Sequence, residues 1–210
     1  MNSSPDNLRK EHSRRWEVAP VITADLAQAL DGYSPVLKQL LVNRGYRTST
    51  EARQFLEARP PAGAEPLLMK GMPEAAERIW RAIQEGELIA VYGDYDADGV
   101  TATALLTLAL TEAGGNAVSH IPNRFEEGYG LNKNDLEKLK DSGVRLVITV
   151  DCGIRSTDEA EFANQIGLEL IITDHHHPGP DLPQALAVIN PRQPGDPYPE
   201  KDLAGVGLAY

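Results

Sequence analysis

The chain has 210 residues, 41% hydrophobic and 24% charged, which suits a soluble globular protein with one sizeable α/β domain and a smaller appendage. Its formal net charge of −11 excludes the basic footprint of a free-standing nucleic-acid-binding module. It does not exclude an enzyme that grips phosphate through bound cations. A single cysteine, Cys152, rules out an intramolecular disulfide and fits a reducing, cytoplasmic setting; no segment has the apolar length of a signal peptide or a membrane span.

Residues 1–15 are polar and mixed in charge, and are expected to be disordered. Residues 24–58 predict two helices. Leu37, Leu40 and Leu41, then Phe55 and Leu56, recur at helical spacing; Gly45 ends the first helix and Thr48-Ser49-Thr50-Glu51 offers caps for the second. Arg59-Pro60-Pro61-Ala62-Gly63 reads as a linker. Residues 1–70 are therefore expected to form a small helical lead-in, and residues 71–210 the main domain.

From Pro73 the rhythm changes. A helix with proline at its start runs to about Glu85 and is closed by Gly86. Strands are predicted over 88–92, 117–121, 146–150, 168–172 and 185–189, with helices over 99–113, 133–140 and 157–166 between them. This alternation predicts an α/β fold with a doubly wound, mainly parallel sheet. Trp16 and Trp80 are expected as apolar anchors.

Three of the predicted strands end in acids: Asp94-Tyr95-Asp96-Ala97-Asp98-Gly99, Asp151-Cys152-Gly153, and Asp174-His175-His176-His177. In a parallel sheet all strand C-termini share one edge, and ligands bind there. The fold would thus gather three turns that are distant in sequence. Asp94, Asp96 and Asp98 are spaced by two, which points side chains the same way in an extended segment. Carboxylates so crowded repel one another and raise each other's pKa unless divalent cations remove the cost. Asp151 adds a carboxylate able to bridge two metals, and the histidines add imidazole nitrogen. This mixed set favours a transition metal, Mn²⁺ before Mg²⁺. Two such ions about 3.5–4 Å apart would activate a water and stabilise both oxygens of an in-line displacement at phosphorus.

Blander explanations compete. A calcium loop starting at Asp94 would place Gly99 correctly but needs glutamate where Leu105 stands. A run of three histidines alone could be an exposed tract, and Asp151 alone a helix cap. Cys152, among acids, reads as a small packed residue and not a nucleophile. Gly205-Val206-Gly207 follows no clear strand and lacks the third glycine of a dinucleotide site. Tyr129 suits base stacking or packing equally.

Together, Asp94 to Gly99, Val150-Asp151-Cys152-Gly153 and Asp174-His175-His176 resemble the first three motifs of the DHH phosphoesterase superfamily. Further segments resemble its branch of bacterial single-stranded-DNA-specific 5′→3′ exonucleases: Leu41-Val-Asn-Arg-Gly-Tyr46, Pro122-Asn-Arg-Phe-Glu-Glu-Gly-Tyr-Gly-Leu131 and Leu203-Ala-Gly-Val-Gly207. The resemblance covers residue 35 to the end.

It implies a metal-dependent hydrolase acting on single-stranded DNA in repair and recombination, with two divalent cations. Asp94, Asp96, Asp151 and His175 would be ligands, Asp151 bridging, with Asp98 beside them at the catalytic centre. His176 would face the scissile phosphate, Asp174 would orient the histidine pair from behind, and Arg124 would contact a DNA phosphate. An ion pair of Arg124 with Glu126 or Glu127 is the alternative. Family members carry a fourth motif and further domains after this point. The apolar run 203–210 is accordingly expected to be a helix cut at its start, in an N-terminal fragment with weak nuclease activity or none. Repair-protein partners would dock on the following domains, and a monomer is expected. Two other functions stay open: a phosphoesterase for short oligonucleotides, cyclic dinucleotides or pyrophosphate, and a non-catalytic fragment that binds metal or a partner protein.

Overall fold

The computed structural model describes residues 17–58, 63–122 and 130–210. The expected disorder of residues 1–15, the linker residues 59–62, and the expectations for Trp16, Arg124 and Tyr129 lie outside them. The chain divides into two compact units, one up to Pro60 and one from Pro61 onward.

Within the first unit the structure has three helices where the sequence predicted two: α1 (Ala24–Ala29), α2 (Pro35–Asn43) and α3 (Ser49–Leu56). The extra break has a local cause. Gly32 takes a left-handed φ of 91°, and Ser34 then caps α2 by accepting the Leu37 N–H, with Pro35 in the first turn. As expected, α2 stops before Gly45, and Thr48 and Glu51 form a reciprocal capping box on α3. Leu30 at the end of α1, Leu41 of α2 and Ala52 of α3 form a small buried core, and the Tyr46 and Phe55 rings stack at 4.4 Å.

The second unit contains a 3₁₀ turn (Pro66–Leu68), then α4 (Met72–Glu85), β1 (Leu88–Gly93), α5 (Ala97–Glu112), β2 (Asn116–His120), α6 (Lys133–Asp141), β3 (Val144–Val150), α7 (Thr157–Gln165), β4 (Glu169–Thr173), β5 (Ala187–Ile189) and α8 (Gly205–Ala209). The five strands lie in the order β2-β1-β3-β4-β5, and every pairing is parallel. The order reverses at β1, so the crevice between β1 and β3 is a topological switch point. Both faces of the sheet are covered. Ile89, Val91, Ile148 and Val150 pack with α4, α5 and α8, while Ala90, Tyr92, Val147 and Ile172 pack with α6 and α7. Burial on both faces is why these strands read as near-continuous apolar runs.

Three features depart from the sequence reading. The division falls at Pro60 and not at residue 70. Met69 is buried in the sheet domain's core, and the Lys70 N–H donates to Asp196. Trp80 is 56% exposed and anchors nothing, because the buried stripe of α4 runs through Ala75, Arg78 and Ala82. The third is a polar network buried on the α6 side. Asp135 is fully buried, and its carboxylate accepts from Lys138 Nζ (2.9 Å), Asn132 Nδ2 (2.7 Å) and the Tyr92 hydroxyl (3.2 Å), and lies 3.1 Å from His120 Nε2. Burial alone would raise its pKa, but Lys138, Asn132 and His120 together hold it well below the usual carboxylate range.

Candidate metal centre

Strand register places the acids in one row. Gly93 pairs with Val150, and Val150 with Thr173, so the next residues, Asp94, Asp151 and Asp174, leave neighbouring strands side by side. Thr173 also pairs with Ile189, which adds Asn190 to the row, and the Asp174 N–H donates to the Ile189 carbonyl.

Asp94 is buried at the end of β1, and one of its oxygens accepts the Tyr95 N–H at 2.6 Å. Asp96 is the N-cap of α5; one oxygen accepts the N–H groups of Asp98 and Gly99, both at 2.9 Å. The helix begins so close to the strand that a Cβ on Gly99 would lie 2.5 Å from the Asp94 carbonyl oxygen, so only glycine fits there.

Asp151 is the centre of the arrangement. It is 1% exposed and takes a left-handed φ of 61°. Aspartate tolerates that region better than most residues. His175 Nε2 stands 3.0 Å from its Oδ1, yet neither carboxylate oxygen accepts a hydrogen bond. Burial, together with the charges of Asp98 and Asp96, pushes its pKa up to about 7.

Asp174 lies behind the histidines. Its Oδ2 accepts the Ile154 N–H at 2.9 Å, and its Oδ1 meets both the His176 N–H (3.0 Å) and His176 Nδ1 (2.7 Å). With Nδ1 engaged there, Nε2 is the His176 nitrogen turned to other work. Burial pulls the His176 pKa down, but the Asp174 hydrogen bond and the charges of Asp174, Asp151 and Asp94 outweigh it and leave it raised. Asn190 Nδ2 donates to the His176 carbonyl at 2.9 Å and fixes the turn from the far side.

Among the described residues, two groups of side chains place ligand atoms within 4.8 Å of one another: Asp94, Asp96 and Asp151, and Asp151, His175 and His176. Asp151 belongs to both. A buried carboxylate that accepts no hydrogen bond is costly unless positive charge compensates it. A mixed oxygen and nitrogen donor set around it suits divalent cations. The residues present therefore fit a pair of ions sharing Asp151.

Every candidate predicted from sequence among the described residues is at this edge. Asp98 stands slightly apart from both groups. Its Oδ2 lies 3.7 Å from His175 Nε2, and its two oxygens accept the N–H groups of Gly205 and Val206, each at 2.7 Å. It thus docks the start of α8 on the site. A Cβ on Gly205 would lie 2.6 Å from Asp151 Cβ. His177 is exposed, and its carbonyl accepts Arg155 Nε at 2.8 Å. Cys152 is buried, its Sγ lies 3.8 Å from the Tyr92 carbonyl oxygen, and burial pushes its pKa well up, so it is an inert packed residue. The sequence reading missed Asn190 and the contact of Gly205 with Asp151. Asn190 had a signal, since it follows β5 on the same edge as the acids. Nothing in the sequence spacing joins Gly205 to Asp98.

Residues 88–210 match the model of the DHH family, N-terminal domain. The chain belongs to the DHH family. It is 48% identical over 177 residues to the single-stranded-DNA-specific exonuclease RecJ of Bacillus subtilis (strain 168), a match covering 84% of this chain and 22% of that protein. Among solved structures, RecJ in complex with Mn²⁺ from Thermus thermophilus superposes with a TM-score of 0.65 at 33% identity, over 89% of this chain and 25% of that one. An exonuclease RecJ bound to manganese gives a TM-score of 0.63 at 38% identity, over 71% of this chain and 37% of that one. This DHH chain thus spans only a fraction of the length of the relatives it matches. Among the described residues, no helix is long and apolar enough to cross a membrane.

Proposed function

We propose that this chain carries the metal-binding catalytic part of a 5′→3′ exonuclease that hydrolyses single-stranded DNA in repair and recombination. The observation that carries it is the Asp151 carboxylate, buried, without a hydrogen bond, and shared by two ligand clusters. The likeness to RecJ proteins supports the substrate. Asp94, Asp96, Asp151 and His175 would hold two divalent cations, Mn²⁺ before Mg²⁺, with Asp98 steadying the site. When bound, the cations supply the charge that activates a water and neutralises the phosphate. Asp151 would be the ligand common to both cations. His176, oriented by Asp174 through Nδ1, would present Nε2 to the scissile phosphate. Arg124 would grip a DNA phosphate. The setting is cytoplasmic and the chain acts as a monomer, with repair proteins as partners.

The test pairs binding with turnover. With Mn²⁺ present, the chain should bind long single strands more tightly than dinucleotides, cyclic dinucleotides or pyrophosphate, and any cleavage should release 5′ mononucleotides. Preference for the small substrates, or no Mn²⁺-dependent binding of single strands, contradicts the proposal.

A further inference from the structure

Cations held by the Asp and His ligands would engage the reacting phosphate, but a strand of DNA also needs a grip on its neighbouring phosphates, and this chain is strongly acidic. One cation stands at the rim of the metal centre. Arg155 is exposed, four residues beyond Asp151 in sequence. Two contacts knit its segment to the histidine turn: the Ile154 N–H donates to Asp174, and Arg155 Nε donates to the His177 carbonyl at 2.8 Å. His177 directly follows His176, so the guanidinium is held within one residue of the imidazole that faces substrate. Among the described residues Arg155 forms no ion pair, and its only hydrogen bond is made through Nε.

Among the described residues this leaves the two Nη groups without a partner, beside the histidine turn and oriented by the Nε tether. A planar guanidinium fork matches the two non-bridging oxygens of a phosphodiester. Much of the entropy of ordering a long side chain is spent in the free protein, which lowers the cost of gripping an anion. An arginine kept only to brace the turn would not need its outer edge open, whereas a phosphate contact does.

Building on the nuclease activity proposed above, we propose that Arg155 is a phosphate-binding residue beside the metal centre, contacting a DNA phosphate next to the scissile one. It acts on grip and not on metal binding.

The experiment measures binding of a phosphorothioate oligothymidylate, labelled at its 3′ end, to the 210-residue chain with Mn²⁺ across a salt series, for the wild type, Arg155→Gln and Arg155→Lys. Mn²⁺ binding is followed in parallel. Arg155→Gln should weaken binding about tenfold at low salt and reduce the salt slope by about 0.7, the value for one single-strand phosphate contact. Arg155→Lys should keep most of the slope, and Mn²⁺ binding should be unchanged in both. Unaltered affinity and slope in Arg155→Gln would overturn the inference while leaving the nuclease proposal intact. Loss of Mn²⁺ binding in that variant would also overturn it, by showing that Arg155 only braces the turn. If the wild-type chain fails to bind the oligonucleotide, the nuclease proposal falls and the inference with it.

Discussion

Two aspartates are buried to the same degree in this domain and have opposite characters. Asp135, on the α6 side of the sheet, is surrounded by Lys138, Asn132, His120 and the Tyr92 hydroxyl, and its pKa is depressed. Asp151, at the C-terminal edge, accepts no hydrogen bond, faces other carboxylates, and its pKa is raised to about 7. Burial is common to both and decides nothing. The partners decide: a buried charge with a full complement of donors is a structural tie, while one without them suits a cation that is not part of the chain.

This contrast can be broken by exchange of charge. Asp135→Asn removes a satisfied charge and leaves Lys138 and His120 without it, so unfolding in urea should show a loss of roughly 4 kcal/mol with or without Mn²⁺. Because the native pKa of Asp135 lies below its unfolded value of about 3.9, its contribution is present above that pH and fades as pH falls below it. The variant should therefore show a flatter acid limb. Asp151→Asn should do the reverse. The native pKa lies above the unfolded one, so the folded metal-free protein holds more protons than the unfolded chain between about pH 4 and pH 7. Stability should fall across that window and then level. Removing the charge should raise metal-free stability by on the order of 3 kcal/mol at pH 8.

Two smaller effects are expected around Asp151. Gly205→Ala puts a Cβ against the Asp151 side chain and should cost about 2 kcal/mol, with weaker Mn²⁺ binding, whereas no change around Asp135 should touch the metal. Cys152→Ala, next to Asp151 but facing the core, should cost about 1 kcal/mol in denaturation and leave Mn²⁺ binding as it was.

Legibility in the sequence followed the range of the interactions. The strand and helix alternation from Pro73 onward was readable because both faces of the sheet are buried and each helix is punctuated by proline, glycine or a capping side chain. The row of acids was readable because parallel strands must end on one edge, which makes Asp94, Asp151 and Asp174 neighbours whatever the register. The break at Gly32 to Pro35 was underread because the leucine spacing runs on across it. Asp135 and Gly205 were out of reach for another reason. Their roles depend on partners from other elements, Tyr92 and His120 in one case and Asp98 and Asp151 in the other, and no local pattern encodes such meetings. Trp80 shows the opposite error, a large apolar residue assumed buried by type when its helix turns it outward.

In the proposed site Asp151 is one carboxylate serving two cations. Isothermal titration of the metal-free chain with Mn²⁺, alongside Asp151→Asn, tests it most directly. Two Mn²⁺ ions per wild-type chain, with neither site surviving the substitution while the fold persists by circular dichroism, is the predicted result. Retention of both sites in Asp151→Asn, or wild-type binding no stronger than that of the variant, would contradict it.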